Sequence, residues 1–104
     1  MIESFRNARD LLNVFAADPA SSAFVQAVAA LVAARFGGGA KVLICGNGGS
    51  LADSVHFAEE LTGRFRADRP ALPAIAIAEP GHITCTANDY GFERVFSQIG
   101  RAHV

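Results

Sequence analysis

The residues best suited to chemistry are the run Cys45-Gly46-Asn47-Gly48-Gly49-Ser50 and, a little further on, His56 and Glu60. The glycines let a ligand come close to the backbone, and Asn47 adds a side-chain acceptor and two donors. A helix starting just after such a turn offers N–H groups to anionic or hydroxyl-rich ligands. A tight turn with no ligand fits the same residues. The run is not a P-loop, because no Gly-Lys-Ser/Thr follows, and its glycines do not have the GxGxxG spacing. His56 and Glu60 are four apart and project from one helical face. An imidazole nitrogen and a carboxylate oxygen so placed suit one divalent metal, zinc included. On spacing alone a surface His–Glu hydrogen bond is the commoner arrangement, and two ligands fall short of the three or four a protein zinc site uses.

Other residues are weaker candidates. Asn88-Asp89 follows the second predicted strand closely enough to reach the same sheet end, and an Asn-Asp turn before Gly91 fits equally well. Arg64, Arg66 and Arg69 suit a phosphate or, more plainly, a solvated loop. His82 and Cys85 lack a nearby third ligand and read as packing residues.

The elements that must position these residues follow from periodicity. Ile2, Phe5, Ala8, Leu11, Leu12 and Phe15 mark an amphipathic helix over 2–16, which Asp18-Pro19 breaks. A second helix is predicted from about Ser21 to Phe36, ended by Gly37-Gly38-Gly39. Lys41–Cys45 reads as a strand covered on both faces. Ser50-Leu51-Ala52-Asp53 resembles a capping box opening a helix from Leu51 to about Thr62. Arg64–Pro73 is a polar connection, and Ala74–Ala78 a second buried strand. Strand, helix, strand implies a parallel βαβ unit. A short helix near His82–Ala87 and another from about Gly91 complete the pattern.

Composition sets the bounds. The chain has 104 residues, 51% hydrophobic and 18% charged, which predicts a globular fold with a real core. A net charge of -1 gives no electrostatic reason to expect nucleic acid. The longest uninterrupted apolar stretch, Ala27–Ala34, is too short to span a bilayer, so no membrane partner is expected. The N-terminus has no secretory pattern, and Cys45 and Cys85 form no CxxC pair. They read as buried thiols in a reducing compartment, and a cytoplasmic location is expected.

Two parallel strands make a small sheet with an exposed apolar edge, which predicts half of a doubly wound domain. Residues 99–104, Ile-Gly-Arg-Ala-His-Val, back-translate as ATC GGA AGA GCA CAC GTC, the string of a common sequencing adapter. The native part is therefore expected to be 1–98, with 99–104 a non-native tail.

Joined together, the Cys45–Ser50 run, Asp53, the run His56-Phe57-Ala58-Glu59-Glu60-Leu61-Thr62-Gly63-Arg64-Phe65, Arg69-Pro70, Pro73–Ile77 and Asn88-Asp89-Tyr90-Gly91-Phe92 resemble the phosphoheptose isomerase family. The likeness spans nearly all of 1–98. It implies an α/β fold of the sugar-isomerase (SIS) type. That fold is three-layered with a five-stranded parallel sheet, here cut to two N-terminal helices, the first βαβ unit and following helices. It implies conversion of D-sedoheptulose 7-phosphate to D-glycero-D-manno-heptose 7-phosphate, the first step towards bacterial heptose for lipopolysaccharide, in a cytoplasmic homotetramer. By position, His56 and Glu60 match two of four zinc ligands, with one zinc expected per subunit. Glu60 also matches the general base. Asn47, Gly48, Gly49 and Ser50 match the substrate-contacting turn, and Asn88 and Asp89 another substrate contact. The family's remaining ligands, its phosphate loop and its general acid match nothing in this chain, so the chain alone is expected to be inactive.

A non-catalytic alternative shares the turn and the fold: regulatory SIS-domain proteins, among them a tetrameric factor that binds the bacterial replication initiator. Glu60, four residues after His56, favours the isomerase, since a binding module has no need of that carboxylate.

Overall fold

The structure, a computed structural model, describes residues 1–103. Val104, the last residue of the expected tail, lies outside them. The chain forms two compact units, Met1–Gly38 and Gly39–Val104.

The first unit holds α1 (Ile2–Ala17) and α2 (Pro19–Gly37). Asp18 does more than break the first helix. Its carboxylate caps the second, accepting from Ala20 N and Ser21 N, both at 3.1 Å, and from Ser21 Oγ at 2.8 Å. Pro19 then sits in the first turn, where a missing N–H costs nothing. The helix therefore starts at Pro19 and not near Ser21. Neither helix buries a residue within this unit; Phe5, Leu11, Leu12 and Phe24 are all exposed. By length and composition α2 is apolar enough to cross a bilayer, despite the shortness of its uninterrupted apolar run. Core helices of soluble proteins share that property.

The cap carries a prediction. Hydrogen bonds from Ser21 Oγ and then Ala20 N hold the Asp18 carboxyl below its ordinary value. A carboxyl with a lowered folded pKa stabilises above its unfolded pKa, and the effect is lost as pH falls through the folded value. Asp18→Ala is thus expected to lower the thermal midpoint, followed by circular dichroism, at neutral pH. The gap from the parent should close below about pH 4. A gap independent of pH would leave the capping charge without a role.

The second unit carries the site. Strands β1 (Val42–Ile44) and β2 (Ala74–Ala76) pair in parallel, Val42 opposite Ala74 and Ile44 opposite Ala76. Helix α3 (Gly49–Thr62) links them and packs on both. Then come α4 (Pro80–Tyr90), a single 3-10 turn at Phe92–Arg94, and α5 (Val95–His103). The βαβ unit stands as predicted. The buried apolar core among the described residues is small: Ala58, Ala74, Ile77 and Val95. The two strands are not covered on both faces, since Ile75 is 44% exposed. The residues of β1, Val42, Leu43 and Ile44, are half-buried.

Three local expectations need correction. Gly48, not Ser50, is the N-cap of α3, and no side chain caps it, so there is no capping box. Gly48 takes φ 58° and ψ −120°, open to glycine, and lets the helix begin a residue or two early. Helix α4 is longer than predicted because Glu79 caps it, accepting from Gly81 N at 2.9 Å and His82 N at 2.5 Å. Those bonds, Gly81's first, hold the Glu79 carboxyl below its usual range. Both cysteines are exposed rather than buried. Cys45 sits just past the end of β1, and Cys85 lies on the open side of α4.

Candidate metal and substrate site

The site is built at the end of β1 and along α3. Strand β1 ends at Ile44, and the chain passes through Cys45, Gly46 and Asn47 into the helix. Asn47 O accepts from Ser50 N at 3.1 Å, and Gly48 O from Leu51 N at 3.1 Å and Ala52 N at 3.2 Å. Ser54 Oγ donates to Ser50 O at 2.7 Å, pinning the first turn from its buried side. With no side-chain cap, the first turn leaves room for an outside acceptor.

Two turns further on, His56 Nε2 lies 3.0 Å from Glu60 Oε1. An ionised carboxylate only accepts, so Nε2 holds the proton in that contact. His56 is 74% exposed and Glu60 32%. Together with Asp53, Phe57 and Phe65 they line an open cleft of 250 Å³. Glu59 joins them: donor atoms of His56, Glu59 and Glu60 all lie within 4.8 Å of one another. Sequence reasoning passed over Glu59, although its position three after His56 was the available signal.

These donors fit zinc. Tetrahedral zinc with bonds of about 2.0–2.1 Å sets its ligand atoms roughly 3.3 Å apart, near the observed His56–Glu60 spacing. Imidazole nitrogen and carboxylate oxygen are both ordinary zinc donors. A metal would take the place of the Nε2 proton, since it needs the neutral ring's lone pair.

The structure brings His56 and Glu60 together. Asn47, Gly48, Gly49 and Ser50 form the helix entry and do not line that cleft. Neither do Asn88 and Asp89, which sit in the last turn of α4 rather than in a turn of their own. Asn88 Nδ2 donates to Asp89 Oδ1 at 3.0 Å, and Cys85 Sγ to Asp89 Oδ2 at 3.4 Å. That bond and the carboxylate's charge push the Cys85 thiol up. His82 is a packing residue, its Nε2 2.8 Å from the carbonyl of buried Val95. Arg69 is not freely solvated loop charge, since its guanidinium donates to backbone carbonyls. It is half-buried against the backbone at the end of α3.

Residues 4–103 match the SIS domain family. Among curated proteins, the phosphoheptose isomerase of Edwardsiella ictaluri is 54% identical over 95 residues, 91% of this chain and 49% of that protein. The phosphoheptose isomerase of Vibrio cholerae is 52% identical over 95 residues, 91% and 50%. The chain thus spans about half the length of the curated relatives it matches. A solved phosphoheptose isomerase from Francisella tularensis superposes with a TM-score of 0.80 at 35% identity, over 97% of this chain and 53% of that one.

Proposed function

Since the chain belongs to the SIS domain family, we propose that it is the N-terminal half of a phosphoheptose isomerase. The intact protein converts D-sedoheptulose 7-phosphate to D-glycero-D-manno-heptose 7-phosphate. The observation that carries this reading is the His56–Glu60 pair, hydrogen-bonded on the open face of α3. Relatives named phosphoheptose isomerase at about half identity support it.

The chemistry is a proton moved between neighbouring carbons. Glu60 takes a proton from C1 of the ketose, and the electron pair forms a C1–C2 double bond while the C2 oxygen is protonated. The resulting cis-enediol regains a proton at C2, the C1 hydroxyl loses its own, and an aldehyde stands at C1. One carboxylate on one face serves both carbons. Glu60 Oε1 is engaged by His56, and among the described residues no donor meets Oε2, which is therefore the oxygen free to carry the proton. His56 orients the carboxylate. Asn47, Gly48, Gly49 and Ser50 hold substrate oxygens at the mouth of α3, and Asn88 and Asp89 add a contact from α4. Zinc, if bound, would be held by His56 and Glu60 with further ligands from elsewhere in the protein, and would supply positive charge that stabilises a developing oxyanion.

We further propose one zinc per subunit, a cytoplasmic homotetramer and a place at the start of heptose synthesis for lipopolysaccharide. Supplied with D-sedoheptulose 7-phosphate, the intact protein should form the aldose 7-phosphate, read by proton NMR. The 104-residue chain alone should form none, since it spans about half the length of its relatives and the general acid and phosphate loop the resemblance implies match nothing in it. An inert intact protein would sink the reading; an active 104-residue chain would sink the division of labour between the halves.

A further inference from the structure

The last turn of α3, which carries Glu60, is anchored from outside the helix. A helix leaves its final carbonyls without intrahelical donors, and their partial negative charge favours a cation. Thr62 Oγ1 meets Ala58 O at 3.0 Å, Gly63 N meets Glu59 O at 2.7 Å, and Leu72 N meets Leu61 O at 2.9 Å. Arg69 completes the set. Its Nη1 donates to Leu61 O at 2.9 Å and Pro70 O at 3.0 Å, and its Nη2 to Glu60 O at 2.5 Å. One planar guanidinium thus holds the carbonyls of two successive α3 residues and one from the connector that leads into β2. A lysine ammonium has no such fork.

We propose that Arg69 is a positioning residue for Glu60. It fixes the peptide that carries the carboxylate, and so the place of the side chain beside His56. The inference deepens the isomerase reading and rests on it. Arg69 lies nine residues from Glu60 in sequence, and its contacts run to backbone, so its influence on the carboxylate passes through the helix end.

The test uses the intact protein with Arg69→Gln and Arg69→Lys. For Arg69→Gln, kcat should fall about 10-fold to 100-fold, as small misplacements of a reacting group do, with KM nearly unchanged. Zinc affinity, measured by chelator competition, should fall about tenfold or more, as outer-shell losses do. Arg69→Lys keeps the charge without the fork, so it should recover only part of kcat. A folded Arg69→Gln with the parent's kcat overturns the proposal, as does a loss fully accounted for by unfolded protein. If Arg69→Gln does not fold, Arg69→Lys decides: lower kcat at the parent's melting temperature supports the role, and the parent's kcat overturns it. If the parent protein leaves sedoheptulose 7-phosphate unchanged, the isomerase reading fails separately. Amide exchange then judges Arg69: faster exchange at Gly63 in Arg69→Gln supports the anchor, and unchanged exchange overturns it.

Discussion

Glu60→Gln in the intact protein is expected to lower kcat by about 10²–10⁴-fold, the range that one positioned acid or base supplies. The substitution keeps the shape of the side chain and an oxygen that can still face His56 Nε2 or a metal held there. What it removes is the basicity of the second oxygen, since an amide takes no proton at working pH. Glu60 is 32% exposed and its carboxylate meets only the exposed His56 among the described residues, so the fold should survive and the loss should fall on chemistry. KM should move little, because the hold proposed for the substrate oxygens is the turn at Asn47–Ser50 and not this carboxylate. Two measurements check this. Steady-state kinetics gives kcat and KM, and deuterium uptake from solvent into the sugar reports proton abstraction directly. Both should collapse together. Deuterium uptake at the parent's rate would show that another group takes the proton and would leave Glu60 as a metal ligand alone. Glu60→Asp makes the converse point: the carboxylate stays but sits one methylene short, so part of the rate should return.

The sequence carried the βαβ unit because the two apolar runs and the glycine turn between them are local signals with few alternative readings. It carried His56 and Glu60 because helical spacing fixes which residues share a face. It did not carry what depends on three-dimensional approach. At the entry to α3, Ser50 and Asp53 have the letters of a capping box, whereas backbone conformation at Gly48 sets the start. The length of α4 was missed because Glu79 is an uncommon cap by residue type, although its carboxylate reaches two N–H groups. Residue preference alone puts the cysteines inside, whereas the small core leaves both outside. Composition alone groups Arg69 with Arg64 and Arg66. Only the return of the connector to α3, through Leu72 N and Leu61 O, puts its guanidinium at the helix end.

Gly46→Ala is expected to be the most destabilising single substitution in the turn. A Cβ at Gly46 would stand 2.6 Å from Ser50 Cβ and 2.7 Å from both Ser50 C and Ser50 O. Carbon contacts settle at about 3.5–4.0 Å, so relief requires roughly an ångström of movement. Two of the three atoms are backbone, and no rotamer change moves them. Helix α3 must therefore withdraw from the end of β1. It is held there by buried Ser54 and Ala58, by the Ser54 Oγ bond to Ser50 O, and by its packing on β2, where Ala74 is buried. Overpacking of this kind typically costs about 1–3 kcal/mol, and a backbone clash belongs at the upper end or beyond. Activity should fall as well, since the displaced helix carries His56 and Glu60. The neighbouring glycines separate the causes. At Gly48 an added Cβ meets nothing within 4 Å, but the backbone stands at φ 58°, so Gly48→Ala should cost about 1–3 kcal/mol through strain alone. At Gly49 the space is also open and the residue is already helical, so Gly49→Ala should change stability by no more than about 0.5 kcal/mol. Urea midpoints for the three variants should therefore rank Gly49→Ala highest and Gly46→Ala lowest. A Gly46→Ala protein as stable as Gly49→Ala would mean that close packing of α3 on the strand end does not dictate glycine there, and that the turn owes its residues to ligand contact instead.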